Sequence, residues 1–392
     1  MVLRHSSRVG LTVAALAAIL PCCAPMRAAD WTDKISLHAY GGWAAGTSDP
    51  YPFLAGRGEG EAEVENLEAV LLFQFRPTEH LLIVIAPEGE VEREGNETED
   101  KVRLELAYAE WETSERFRIR FGRNRLPFGI YTDIYDVGTL RPFYHLPVSI
   151  YGHSGFVSES YLGVGIGGLA PAKKGWELRY DLFAGGADFD VDEPFEEALE
   201  TPGGEGDAGE EAEGDIESLI GGRLILGTPV DGLTFGVSAF SGKPEAAGDF
   251  ATSEPQWGDF RSVGVHVEFQ RGAWTTRAET GRHHEDEFDT DASYLEVSRR
   301  LGERWQVALR GEHATVDFSD ELPTGGDSLL DHDEIAAGIS YWFDSGFVLK
   351  LSIHSFDGNL FAHPHDRVAE ALSEGSLDDS GTAVVFGAQF SY

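Results

Sequence analysis

The chain has 392 residues, of which 68 are acidic and 30 basic, for a formal charge of −38. That balance repels a phosphate backbone and excludes a nucleic-acid partner. Beyond residue 30 no run approaches about 18 consecutive apolar residues, which excludes helical membrane spans.

Residues 1–29 read as a secretory signal peptide. Arg4 and Arg8 precede an apolar run from Val9 to Leu20 that is too short to span a bilayer. Small residues follow, with cleavage expected after Ala28 or Ala29. A lipoprotein reading through Cys22 or Cys23 competes, but Pro21 and Cys22 are not the small residues expected before a lipidated cysteine. Both cysteines lie in this segment, so residues 30–392 form an exported body without disulfides or thiol chemistry. Loss of Arg4, Arg8 and Arg27 takes its charge to −41.

From "KISLHAYGGWA" onward, segments of about ten residues alternate between apolar and polar positions, the length of a tilted transmembrane strand. "LEAVLLFQF", "FRIRF" and "FVLKLSI" are examples. Seven tight connections fall near Pro77, Ser114, Lys173, Pro229, Gly272, Gly302 and Ser345. Eight longer polar stretches lie near residues 45–62, 87–100, 122–159, 188–216, 241–258, 282–291, 318–332 and 357–379. Fifteen connections require sixteen strands. The expected fold is all-β, a closed antiparallel transmembrane β-barrel of about 16 strands with short periplasmic turns and long extracellular loops.

The stretch from Arg116 to Arg141 carries the strongest basic signal. In "RFRIRF", Phe117, Ile119 and Phe121 alternate with Arg116, Arg118 and Arg120. An arginine facing lipid at the midplane costs roughly 2–4 kcal/mol, so these arginines are expected to face the lumen. Residues 122–159 lack such alternation and contain Pro127, which cannot donate to a ladder. A stretch this long in a compact barrel is more often functional than slack. We read it as a loop that folds into the pore and narrows it; an extracellular lid or a subunit contact is the alternative. Arg116, Arg118, Arg120, Arg123, Arg125, Asp133, Asp136 and Arg141 are the expected pore-lining residues, with a net charge of +4.

The same region resembles a group of gram-negative outer-membrane porin-like proteins. The resemblance rests on Gly122–Arg123, Pro127–Phe128–Gly129, Asp136–Val137, Arg141–Pro142 and Leu146 to Tyr151. It implies a sixteen-stranded porin whose third loop folds inward. It implies no particular solute, because such porins pass anions, sugars or small solutes in general. A homotrimer is expected only by analogy with other porins.

Alternation elsewhere sends Arg103, Arg179, Arg223, Arg277, Arg310 and Lys350 into the lumen, beside Glu105, Glu177, Asp181, Glu279 and Glu312. Residues 188–216 read as an acidic extracellular loop, since Asp188 to Glu217 holds fourteen carboxylates and no Lys or Arg. Bridging by calcium or magnesium, between loops or to lipopolysaccharide, is a second reading of that block. His283 with His284, and His363 with His365, sit beside acids but lack a second ligand pair with zinc-like spacing. "YLGVGIGG", Tyr161 to Gly168, looks like a nucleotide loop, but no βαβ unit follows it, and the glycines suit close strand packing. No nucleophile sits in a recognisable motif. We expect no catalytic residue, no cofactor and no metal.

"GTAVVFGAQFSY" continues the alternation to Phe390 and Tyr392, which are expected to form the aromatic end of a closing strand. It resembles the terminal strand that the barrel assembly machinery reads in bacterial outer-membrane proteins, with Tyr where Phe is usual. The function expected is a porin of the bacterial outer membrane: passive diffusion of small hydrophilic solutes and ions, with mild anion preference at the constriction. A ligand-specific uptake barrel and a structural or adhesion barrel are the alternatives. Outer-membrane lipid, lipopolysaccharide and the assembly machinery are the expected partners.

Overall fold

A computed structural model describes residues 32–392 apart from 56–57, 95–96, 153–155, 172–173, 191–212, 245–259, 286–287, 319–329 and 363–378. The predicted signal peptide, the body of the acidic loop, and His363 and His365 lie outside the described residues. Among those described, no helix is long and apolar enough to cross a membrane.

Sixteen strands close into one antiparallel barrel, each paired with its sequence neighbours. They are β1 (Ile35–Asp49), β2 (Ala62–Phe75), β3 (Leu81–Glu94), β4 (Glu97–Ser114), β5 (Phe117–Arg125), β6 (Ser160–Ala170), β7 (Glu177–Asp190) and β8 (Glu213–Gly227). The second half comprises β9 (Leu233–Pro244), β10 (Phe260–Arg271), β11 (Trp274–Glu285), β12 (Phe288–Leu301), β13 (Trp305–Phe318), β14 (Asp331–Asp344), β15 (Phe347–Asp357) and β16 (Ser380–Ser391). All seven predicted turns join strands at one end. Two of the eight predicted long loops do not exist as loops. The described residues of 87–100 and 282–291 belong to strands, which end at Glu94 and Glu285 and resume at Glu97 and Phe288. Once both faces of a hairpin are polar, the alternation that marks a strand disappears from the sequence while its backbone ladder continues.

The ring closes through β1 and β16, in register from Tyr40 opposite Ser391 to Asp49 opposite Thr382. Tyr392 extends the ladder by one step, its N–H donating to Ala39 O at 2.7 Å and its carbonyl accepting from Ala39 N at 3.1 Å. Closure leaves no unpaired strand edge, which a hydrocarbon environment would penalise by several kcal/mol per unsatisfied group.

Outward positions are apolar. Leu71, Ile85, Phe121, Leu182, Leu224 and Ile353 are among the large hydrophobic side chains exposed on the outer face. Trp111, Trp176, Trp274, Trp305, Phe343 and Phe390 are exposed near the short turns, and Tyr392 is 88% exposed beside them. In water such a continuous apolar surface would aggregate. A hydrocarbon band with an interfacial aromatic girdle is the setting it fits.

The core lies inside the barrel, and the loop between β5 and β6 fills it. Leu126, Phe128, Ile150 and Phe156 of that loop are fully buried against inward aromatics of the wall. Phe128 meets Phe240 edge-on at 5.6 Å between centroids, and Phe240 stacks on Phe260 at 5.9 Å. Each such side chain contributes about 1.5–3 kcal/mol on burial, which explains why a loop this apolar turns inward rather than projecting into solvent.

Candidate functional site

The loop is irregular, with 3-10 turns at Tyr131–Ile134 and Gly138–Leu140 and one α-helical turn at Val148–Tyr151. Its backbone polar groups therefore need partners from outside the loop. The inward side chains of β8–β16 supply them. Arg223 donates to Gly129 O at 3.0 Å, Arg310 to His145 O at 3.0 Å, and Ser340 to Pro142 O at 3.0 Å. Lys350 Nζ donates to Gly138 O at 2.7 Å and to Phe143 O at 2.8 Å. Acids on the same wall receive the loop's donors. Tyr131 Oη donates to Glu296 at 2.5 Å, Tyr151 Oη to Glu279 at 2.7 Å, and Ser149 N to Glu312 at 3.0 Å.

Several of the lumen charges predicted from alternation thus lie beneath the loop. Arg223, Arg310, Lys350, Glu279 and Glu312 are all buried, so they anchor the loop instead of facing open solvent. The open side is the opposite wall, β4 to β7. There a cavity of about 410 Å³ is lined by Arg118, Arg120, Arg125, Arg179 and Arg223 with Glu112, Glu115, Asp133 and Asp181.

Two of the predicted arginines form the ladder on β5. Arg118 donates to Asp181 Oδ1 at 2.8 Å, and Arg120 donates to Glu110 Oε2 at 2.6 Å and lies over the Tyr108 ring at 5.3 Å. Their side chains keep 28% and 30% exposure, so the guanidinium groups remain wet despite these pairs. Their in-register partners on β6 are Gly167 and Gly165. A Cβ at Gly167 would meet Asp181 Oδ1 at 2.7 Å and Arg118 Nε at 3.1 Å. The "GVGIG" run therefore clears space for the arginines.

The remaining predicted residues separate. Arg125 bridges Glu105 at 2.8 Å and Asp136, closing the foot of the loop. Asp133 pairs with Arg223 at 2.8 Å and stays 49% exposed. Burial raises the Asp133 pKa, but the Arg223 charge and hydrogen bonds outweigh it and hold the carboxyl below the usual range. Three residues depart from expectation. Arg116 lies exposed in the turn before β5, so it is not part of the ladder. Arg123 pairs in register with Leu162, which is 57% exposed on the outer face, so it shares that face. Arg141 is 7% exposed, buried between loop and wall. His283 and His284 also fail as a ligand pair. They occupy opposite faces of β11, His283 fully buried and bonded to Ser262 at 2.7 Å, His284 paired with Asp289 at 2.8 Å.

Sequence reasoning missed Glu88, Glu110 and Glu159. The first two stand at inward positions of their strands and could have been read from alternation. Glu159 could not, because it ends the irregular loop. It meets Arg103 at 3.4 Å, and its carboxylate lies within 4.8 Å of those of Glu88 and Glu105. Burial first, then the Glu105 charge, push its pKa up to about 8. A raised carboxyl pKa means that the protonated form fits the folded state better. Loop anchoring is therefore strongest below the ordinary value near 4.5 and weakens as pH rises through about 8. Thermal midpoints should fall as pH rises from the ordinary value of 4.5 to about 8 and level off above it, and Glu159→Gln should flatten the fall. An unchanged slope in the variant would assign the dependence to other groups.

No protein-family model and no curated protein matches the chain. Its fold is that of solved outer-membrane porins. A complex of Salmonella typhi OmpF with daunomycin aligns at a TM-score of 0.56 and 13% identity, over 91% of this chain and 97% of that one. An anion-selective porin from Comamonas acidovorans aligns at 0.55 and 11%, over 92% and 100%. A trimer form of Vibrio cholerae OmpT, an outer-membrane protein, aligns at 0.52 and 13%, over 92% and 100%. The chain thus has the closed sixteen-stranded porin architecture, at identities that speak to fold alone.

Proposed function

We propose that the protein is an outer-membrane porin that passes small hydrophilic solutes by diffusion, with mild anion preference. The observation that carries this reading is the inward loop bound to one wall, opposite a wet arginine ladder on the other. A structural or adhesion barrel has no use for that asymmetry. Five arginines and four carboxylates line the cavity, but Arg223 is buried beneath the loop, so the preference rests on the exposed Arg118 and Arg120 and is small. Salt at about 0.15 M screens exposed charge beyond roughly 8 Å, so groups within the lumen outweigh the acidic loops outside it. Outer-membrane lipid, lipopolysaccharide and the assembly machinery are its partners in this reading, and homotrimeric assembly is supported by the trimeric form of one structural neighbour.

The zero-current potential in a KCl gradient tests the preference. Wild type should favour chloride mildly. Arg118→Gln with Arg120→Gln should shift the potential toward potassium while the barrel still assembles. A shifted melting temperature with an unmoved potential would reduce these arginines to partners of Asp181 and Glu110.

A further inference from the structure

Beneath the loop, at the short-turn end, lies a second cavity of about 540 Å³. Inward positions of a water-filled barrel are expected to be polar. Here the loop instead presents Ile130, Ile134 and Leu140 to the cavity, and the wall adds Ile225 and Trp342. Leu140 is 54% exposed although its neighbours Gly138, Thr139 and Arg141 are buried. Four arginines and two carboxylates line the same cavity. Arg223 pairs with Asp133 and Arg277 with Glu268, which leaves Arg179 and Arg300 facing the apolar strip. Among the described residues, neither has a carboxylate within ion-pair distance. Arg300 lies 4.0 Å over the Trp342 ring. Stacking covers the face of the guanidinium and leaves its N–H edge free, and that edge matches the two oxygens of a carboxylate.

We propose that this vestibule is a binding subsite for organic carboxylates with a flat or branched apolar body. The carboxylate would bind the edge of Arg300, with Arg179 adding attraction, and the apolar body would lie on Leu140 and Ile134. The proposal rests on the channel reading and adds a solute class to it. An anion without an apolar body gains only the charge contacts. One face of an aromatic ring removed from water is worth about tenfold in affinity.

Isothermal titration of benzoate and acetate into the purified barrel in detergent tests the site without needing conduction. Benzoate should bind about tenfold more tightly than acetate. Leu140→Ser, at an exposed position of the loop, should cut that ratio to about threefold or less. Arg300→Gln should weaken both anions. In planar bilayers benzoate should block chloride current at correspondingly lower concentration than acetate. Equal affinities in wild type, or an unchanged ratio in Leu140→Ser, would overturn the subsite. Preferential binding by a protein that carries no current would uphold the subsite and overturn the channel.

Discussion

Arg310→Met is expected to destabilise the barrel by about 3–5 kcal/mol, the cost of leaving buried carboxylates without their cation. The Arg310 side chain has no exposure. It lies 2.7 Å from Glu312, 3.8 Å from Glu334 and 3.9 Å from Glu296. It also donates to His145 O and lies 4.6 Å over the Phe143 ring, so it joins three strands to two points of the loop. Methionine fills much of the volume but removes the shared cation, so that Glu312 keeps only Ser149 while Glu296 keeps Arg277 and Tyr131 and Glu334 keeps His354. The unfolding midpoint in detergent should fall by many degrees, and adding Glu312→Gln should recover part of the loss. An unchanged midpoint would mean that water already reaches these acids, and the account of a tightly seated loop would fail.

Deletion of Phe390 to Tyr392 should have a still larger effect, loss of the assembled barrel. It removes the pairings of Phe390 with Gly41 and with Phe347, the Ser391–Tyr40 pairing, and both bonds between Tyr392 and Ala39. The seam then opens at the apolar end of the wall, where each unpaired backbone group costs several kcal/mol. Such a chain should be absent from outer-membrane fractions and should not migrate as a heat-modifiable band. A deleted chain that still ran as a folded barrel would show that β15 and β1 can close without this corner.

Period-two alternation made the fold legible, because lipid on one side and polar contents on the other force every strand to advertise both faces. It fell silent wherever both faces were polar, as in the hairpins after Glu88 and before Asp289. The irregularity of residues 122–159 was legible too, through Pro127 and the lapse of alternation. Its seating was not. Nothing local in "LRGEH" reveals that Arg310 and Glu312 lie under loop residues 165 and 163 positions earlier, since loop docking is a long-range pairing of irregular backbone with wall side chains. Arg118 and Arg120 were found because strand parity fixes direction. Arg116 falls in the turn, where parity carries no information, whereas Arg123 has the odd parity of Phe117, Ile119 and Phe121, and the ladder runs through Gly122 without a shift, so parity itself puts it on the outer face.

The central claim is that the lumen conducts beside the loop. Single-channel recording of the purified protein in a planar bilayer in molar KCl tests it most directly. The account predicts discrete, stepwise conductance that scales with salt concentration and passes in both directions, with steps that grow when residues of the loop between Ile130 and Ile150 are replaced by a short flexible linker. A folded, inserted barrel that carries no current, or steps unchanged by that replacement, would contradict it.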